Sequence, residues 1–257
     1  MSSARNMIAL KSIIHKEIHR FMRIWVQTLV PPAITISLYF VIFGELIGSR
    51  IGQMSGFDYM SFIVPGLIMM SVITNSYSNV ASSFFSAKWQ RNVEEMLVAP
   101  VPNWVIVAGY VAGGMIRGIL VGVIVTFVAL LFVDIQVHNI WVIIVTVTLT
   151  SATFSLGGLI NAIFAGSFDD ISIIPTFILT PLTYLGGVFY SISLLPEFWQ
   201  GVSKINPIVY MVNAFRYGFL GISDVSLNVS FAVLGVFIIS LFLIAMTLIT
   251  RGVGLRS

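Results

Sequence analysis

The sequence contains no cysteine, which excludes a disulfide framework, a thiol nucleophile and any cysteine-ligated metal. Cysteine usage is therefore silent on the redox compartment. Charge is scarce as well: 13 Lys and Arg with 10 Asp and Glu make up 9% of 257 residues, while 58% are hydrophobic. A soluble domain carries about 25% charge. With a mean hydropathy of +1.01, the chain reads as a membrane protein. At about 20 residues per helical span there is room for roughly five to seven spans and none for an extramembrane catalytic domain of ordinary size.

Several motifs are missing. No G-x-x-x-x-G-K-[ST] loop occurs, because Lys11, Lys16, Lys88 and Lys204 lack the preceding glycines, so ATP is not bound in that way. H-E-x-x-H is absent, and His15, His19 and His138 fall outside the expected spans. His15 and His19 are one turn apart, a spacing that can bind metal, but on the polar face of a surface helix they read as solvated. No metal site and no catalytic residue are expected. An intramembrane protease needs Ser with His, or paired Asp, within the spans, and neither arrangement is visible. An ion-coupled carrier holds carboxylates near the midplane, whereas Asp134, Asp169 and Asp170 sit near span ends. The net charge of +3 comes from sparse, scattered basic residues, placed as membrane anchors rather than as a nucleic-acid surface. Lys11, Lys16, Glu17 and Arg20 interrupt the opening stretch, so no cleavable signal is expected.

Met7, Leu10, Ile14, Ile18 and Phe21 recur at helical spacing, with Lys11, His15, His19 and Arg23 opposite, which predicts an interfacial amphipathic helix over 1–23. Spans are expected at about 24–44, 59–84, 104–133, 140–164, 171–190 and 225–250. The first contains Pro31-Pro32, which should bend it. A polar loop with Glu45, Arg50 and Asp58 follows. The second carries the run Thr74 to Asn79, a face that must meet protein or water. Arg117 lies well inside the third; it is either a binding group for an anionic substrate or a residue that snorkels or pairs with Asn75 or Asn79. A tight turn at Gly166 to Asp170 separates spans four and five. There Asp170 is placed to cap a helix, or the Asp169-Asp170 pair to meet a partner or the basic N-terminal helix. Residues 191–224 are too interrupted to span and too apolar for an ordinary loop, so short re-entrant or outer helices are expected before span six.

Six spans put both termini on one side. The basic residues then divide into Arg5, Lys11, Lys16, Arg20, Arg23, Lys88, Arg91, Arg251 and Arg256 on that side against Arg50, Lys204 and Arg216 on the other, which places both termini in the cytoplasm. The fold expected is an all-α membrane protein of six helices, a single transmembrane domain over 1–257.

The segment Gln90-Arg91-Asn92-Val93-Glu94-Glu95-Met96-Leu97-Val98-Ala99-Pro100-Val101 resembles the cytoplasmic coupling helix after the second span in permease subunits of type-2 ABC exporters. That pattern is a polar stretch, a Glu, paired aliphatics and a Pro six residues after the Glu; Arg91-Asn92 stand where the family has a Gly-Thr pair. Pro181 to Tyr190 with Gly186-Gly187, then Leu195-Pro196, Asn206-Pro207, Tyr210 and Arg216, resembles the family's C-terminal signature. Together with the interfacial N-terminal helix and the six expected spans, the resemblance covers essentially the whole chain.

The resemblance implies a bacterial inner-membrane half-transporter. Two copies of this chain form the pathway, and two copies of a separate ABC ATPase bind beneath, holding the ATP and Mg. Arg91, Glu94, Glu95, Met96, Leu97 and Pro100 are then the coupling residues. Asn75, Asn79 and Arg117 are pathway candidates, and Gly186, Gly187, Pro196, Asn206, Pro207, Tyr210 and Arg216 belong to an outer cap. Arg91 and Glu95, one turn apart, suit a stabilising ion pair. Without the resemblance, the same residues read as a solvated turn, and the aromatic outer segment as a membrane-anchoring belt. The polar face of span two and the apolar outer segment point to an amphipathic or lipid-like cargo. A stand-alone secondary carrier or channel for amphipathic solutes is the alternative, and a membrane-embedded enzyme a third. With no native thiol in the chain, Asn92→Cys is expected to label with a membrane-impermeant maleimide only from the cytoplasmic side; labelling from outside contradicts the topology.

Overall fold

The computed structural model describes residues 3–255; Arg256, counted in the basic tail, lies outside them. The described residues are helical apart from turns and a two-residue ribbon pairing Gln53–Met54 with Phe57–Asp58. In order, the helices are α1 (Ser3–Arg23), α2 (Trp25–Tyr39) continued as a π-helix (Phe40–Gly48) and α3 (Ser49–Ile51), α4 (Tyr59–Trp89), α5 (Asn92–Val98), α6 (Asn103–Ala129), α7 (Ile140–Phe164), α8 (Asp170–Ile174), a π-turn (Pro175–Leu179), α9 (Thr180–Tyr184), a 3-10 turn (Ile192–Leu194), α10 (Glu197–Ile205), α11 (Pro207–Leu220) and α12 (Leu227–Arg251).

Among the described residues, five segments are long and apolar enough to cross a bilayer: 25–51, 59–89, 103–129, 140–164 and 227–251. The first therefore runs past its expected end at Gly44, since Phe40–Gly48 keeps the chain helical. Pro31 and Pro32 sit inside α2, where each removes a backbone donor and frees the carbonyl four residues earlier, on Gln27 and Thr28. The third stops at Ala129, four residues short of expectation. The expected fifth span is helical only from Asp170 to Tyr184, about 22 Å at ~1.5 Å per residue. Pro175 opens a π-turn within it, and Gly187, with φ +74°, turns the chain out of the helix.

Long-range contacts fix which ends lie together. Lys88 Nζ donates to the carbonyls of Ile163 and Ala165 at 2.7 Å each, capping the C-terminus of α7 with a cation. Asn103 Nδ2 reaches Thr250 Oγ1 at 3.2 Å. The C-termini of α4, α7 and α12 and the N-terminus of α6 therefore share one end. At the other end, a side chain at Gly66 would strike Val188, so residues 170–188 carry the chain from one end of the bundle to the other. Asp58 caps α4 there by accepting from the Met60 amide at 3.1 Å.

α4 is the most enclosed of the long helices, lying between α6 and α7. Its neighbours meet it with glycine: a Cβ on Gly118 or Gly122 of α6 would collide with Ser76 or Val72, and one on Gly158 of α7 with the Tyr77 backbone. Lipid offers helices no hydrophobic gain from associating, so close backbone approach supplies dispersion contacts instead. Two apolar clusters result. One, around Phe62, Leu67, Ile68, Met69, Val121, Val125 and Phe215, fills the end near Asp58. The other, around Phe84, Phe85, Ile106, Tyr110, Leu159 and Ile163, fills the end near α5. Gly158→Val is expected to lower stability by about 1–3 kcal/mol through overpacking; Gly235→Ala on α12, where a Cβ meets nothing, is expected to leave it unchanged. Thermal unfolding of the detergent-purified variants checks both.

Candidate functional site

Between the two apolar clusters lies a layer of charge. α1 lies along α6, with Ile13 against Gly109 and Glu17 against Gly113. The face of α1 turned to the bundle passes through Ile13, Glu17 and Phe21, whereas Met7, expected on the apolar face, is half exposed. Glu17 is fully buried. Its Oε1 accepts from Ser83 Oγ at 2.6 Å, and its Oε2 lies 3.4 Å from Arg20 Nη2, the one salt bridge among the described residues. Arg20 Nη2 also donates to Asn79 Oδ1 at 2.7 Å and to the Asn79 carbonyl at 3.0 Å. Arg117 reaches the same layer from α6, donating to Asn79 Oδ1 at 3.4 Å and Asn75 Oδ1 at 3.3 Å.

Of the alternatives for Arg117, pairing with Asn75 and Asn79 is therefore realised. Two guanidiniums converge on one amide oxygen beside a single carboxylate. Several polar atoms here are buried without a partner: Arg20 Nε, Arg117 Nε, Asn79 Nδ2 and Ser76 Oγ. Nearby, Lys16 Nζ donates to Tyr110 Oη at 3.3 Å. Glu17, Arg20 and Ser83 escape a reading by helical periodicity, because it assigns the buried face from apolar residues. The spacing Gly109, Gly113 on α6 is the signal that marks where another helix packs closely.

Where α4 ends, Arg91 takes a left-handed conformation at φ 62°, which lets the chain leave α4 and start α5 at Asn92. Arg91 thus stands outside the helix and makes no ion pair with Glu95, contrary to the expected pairing. Glu94 and Glu95 occupy the first turn of α5, where the helix dipole favours negative charge. Val93 is buried. Met96 and Leu97, expected on the docking surface, are half-buried and pack against the apolar cluster around Phe84 and Tyr110, with Met96 Sδ 4.0 Å from Tyr110 Oη. Across α5 and its flanks, Arg91, Asn92, Glu95, Val98 and Pro100 are exposed. Beside it, a cleft of about 280 Å³ is lined by Lys88, Trp89, Arg91, Glu94, Gly166 and Gly254, among others.

The Gly166 to Asp170 turn closes on itself. Asp170 Oδ2 accepts from the Gly166 and Ser167 amides at 2.8 and 3.1 Å, and Ser167 Oγ accepts from the Asp170 amide at 3.2 Å. This is a reciprocal capping box in which Ser167 is the cap and Asp170 the returning carboxylate. Asp169 makes no side-chain cap bond.

At the opposite end, the C-terminal signature folds around Arg216. Arg216 is 1% exposed, and its guanidinium stacks 4.0 Å from the centre of the Phe62 ring. Nη2 donates to the Gly187 carbonyl, and Nε to that of Phe62 at 3.4 Å. Asn206 caps α11 through the Ile208 amide at 3.0 Å and donates to the Leu182 carbonyl at 2.6 Å. Pro207 opens α11, and Gly186 gives Ile208 room. Pro196 precedes α10, and Tyr210 Oη donates to the Lys204 carbonyl at 2.7 Å. Asp224, not singled out from the sequence, accepts from Ser191 Oγ at 2.6 Å and the Ile192 amide at 2.9 Å, tying the turn to the start of α12.

A bundle of long apolar helices, with a charged layer near one end and a short acidic helix beyond it, defines a multi-pass membrane protein. Residues 8–220 match the family described as ABC-2 type transporter. Over 251 residues the chain is 68% identical to the inner membrane transport permease YadH of Escherichia coli K12, covering 97% of this chain and 98% of that protein. The same identity and coverage hold for YadH of Shigella flexneri. Nodulation protein J of Rhizobium leguminosarum bv. viciae is 24% identical over 217 residues, 83% of each chain. The chain belongs to the ABC-2 type transporter family.

Removing the buried carboxylate leaves two guanidiniums facing each other. Glu17→Ala is expected to lower stability by about 3–5 kcal/mol, and Glu17→Gln, which retains a partner for Ser83, by less. Thermal unfolding in detergent measures the difference.

Proposed function

We propose that this chain is the membrane-spanning permease subunit of an ATP-driven exporter in the bacterial inner membrane. It works as a homodimer with two copies of an ABC ATPase and has no enzymatic activity of its own. The names of its YadH relatives, inner membrane transport permeases, support the transport role and the membrane. In this reading the chain crosses six times, with residues 170–190 as a short fifth crossing and both termini cytoplasmic.

One observation carries the proposal: α5 sits at the tip of a helix pair that outruns the membrane. α4 has 31 residues, about 46 Å at ~1.5 Å per residue, against a hydrocarbon layer of about 30 Å. About one-third of it therefore projects, together with the antiparallel start of α6, and α5 closes the projection. A helix held between two packed helices moves as a lever. Closure of ATPase subunits against the exposed rim of α5 and the adjoining cleft is transmitted to α4 and, through Glu17, Arg20 and Asn79, to α1. The Met70, Thr74, Ser78 and Ser82 edge of α4, at successive helical turns, is only partly covered, with Thr74 exposed, and is polar over most of its length. It supplies a wall for a pathway completed by the second copy.

Purification of the tagged chain from its native host in mild detergent is expected to bring down an ATPase in equal amount, with hydrolysis raised in the complex. A chain that comes alone favours the stand-alone carrier. Glu94→Ala is expected to leave membrane insertion intact and to weaken ATPase affinity or uncouple hydrolysis from transport; wild-type values for both remove Glu94 from the coupling path.

A further inference from the structure

Beside the charged layer, a cavity of about 310 Å³ opens between α2 and α4, and Arg117 of α6 forms part of its lining. Thr28, Ser71 and Asn75 supply buried polar wall, while Gln27, Thr35 and Thr74 stand exposed at the rim. No carboxylate among the described residues lines it. Arg117 is held only by two neutral amide oxygens at 3.3 and 3.4 Å, long for charge-assisted bonds. One of those oxygens is already taken by Arg20 at 2.7 Å. Glu17 offsets the charge of Arg20, its only ion-pair partner among the described residues, so one positive charge in the layer is uncompensated. A cation in such a place calls for an anion.

The surroundings define what else the anion carries. Asn75 and Asn79 lie about 24 and 30 Å along α4 from Tyr59 at ~1.5 Å per residue, so the layer falls near one boundary of a hydrocarbon slab of about 30 Å. Above it, α2 shows Val30, Ile34 and Leu38 on its exposed side, an apolar track leading from the cavity towards the bilayer centre. The cavity thus joins a charged, hydrogen-bonding end to a greasy flank, in the order that a lipid-like molecule presents head and chain.

We propose that Arg117 and this cavity bind the anionic head group, phosphate or carboxylate, of an amphiphile that enters between α2 and α4. The site rests on the permease reading and names the class of cargo that the permease takes. Arg117 forms charge-assisted hydrogen bonds to the head group, with Thr28, Asn75 and Gln27 around it and the alkyl chain along α2.

The test is binding of dodecyl phosphate to the full-length chain in a neutral maltoside detergent, with dodecyltrimethylammonium and inorganic phosphate as companion probes. Dodecyl phosphate is expected to bind wild type and Arg50→Gln alike, Arg50 being an exposed arginine at the far end of the first long segment. Arg117→Gln is expected to bind it about tenfold more weakly, the scale of one lost charge-assisted contact, and Arg117→Lys to recover part of that loss. Thr35→Phe narrows the rim from an exposed position with Arg117 intact; it is expected to weaken binding even if Arg117→Gln fails to fold. Competition by inorganic phosphate at similar concentration assigns the site to the free anion, and its absence to the amphiphile. Equal binding by wild type, Arg117→Gln and Thr35→Phe, or equal binding of dodecyltrimethylammonium, overturns the site. ATPase recruitment is scored separately. Anion binding without an ATPase keeps the site and overturns the exporter, whereas an ATPase complex without anion binding overturns the site alone.

Discussion

Helices in a bilayer gain little by burying apolar surface against each other, because the lipid chains they leave are equally apolar. What holds α4 between α6 and α7 is closeness, and closeness depends on glycine. Gly118 and Gly122 admit Ser76 and Val72, Gly158 admits the backbone at Tyr77, and Gly66 admits the turn at Val188. From that contact the remainder follows. α6 is held parallel to α1 and antiparallel to α4, α5 is clamped at their joined end, and Arg216 finds carbonyl partners where the Gly187 turn folds back on α4.

The same close approach brings charge into the interior. α1 can lay Glu17 against α6 because Gly113 has no side chain, and the carboxylate then meets Ser83 and Arg20 away from water. Breaking such an arrangement costs more than forming it yields, so the layer acts as a register lock between α1 and α4. It also couples them: Asn79 accepts from arginines on α1 and on α6, and so links three helices through one side chain. Strain applied at α5 has a continuous packed route to the membrane boundary along α4, α6 and this amide.

Much of the arrangement is legible in the sequence. The long apolar runs, the break at Arg91 to Pro100 and the capped turn at Gly166 to Asp170 all follow from hydropathy and from turn chemistry. Asn75, Asn79 and Arg117 stand out as polar groups in apolar stretches, and the structure does bring them together. Other features were hidden. Glu17 looks like one more charge on an amphipathic helix, because its burial depends on Gly113 and Ser83, far away in sequence. Asp224 looks like an ordinary loop residue, since Ser191 and Ile192 reach it only after the chain has turned at Gly187. Met96 and Leu97 look like a docking surface on composition alone, yet the way α5 folds back at Arg91 packs them partly against the cluster around Tyr110.

The sequence by itself determined that this is a membrane protein, roughly where its helices lie, and which family it resembles, because hydropathy and local motifs are properties of neighbouring residues. Only the tertiary structure decided how the charges are paired, which face of α5 is exposed, and that Arg117 borders an open cavity with no carboxylate among the described residues to balance it. Those depend on separations between helices of a few ångströms. Such distances are set by glycines and side chains on different segments, and no single stretch of sequence carries them.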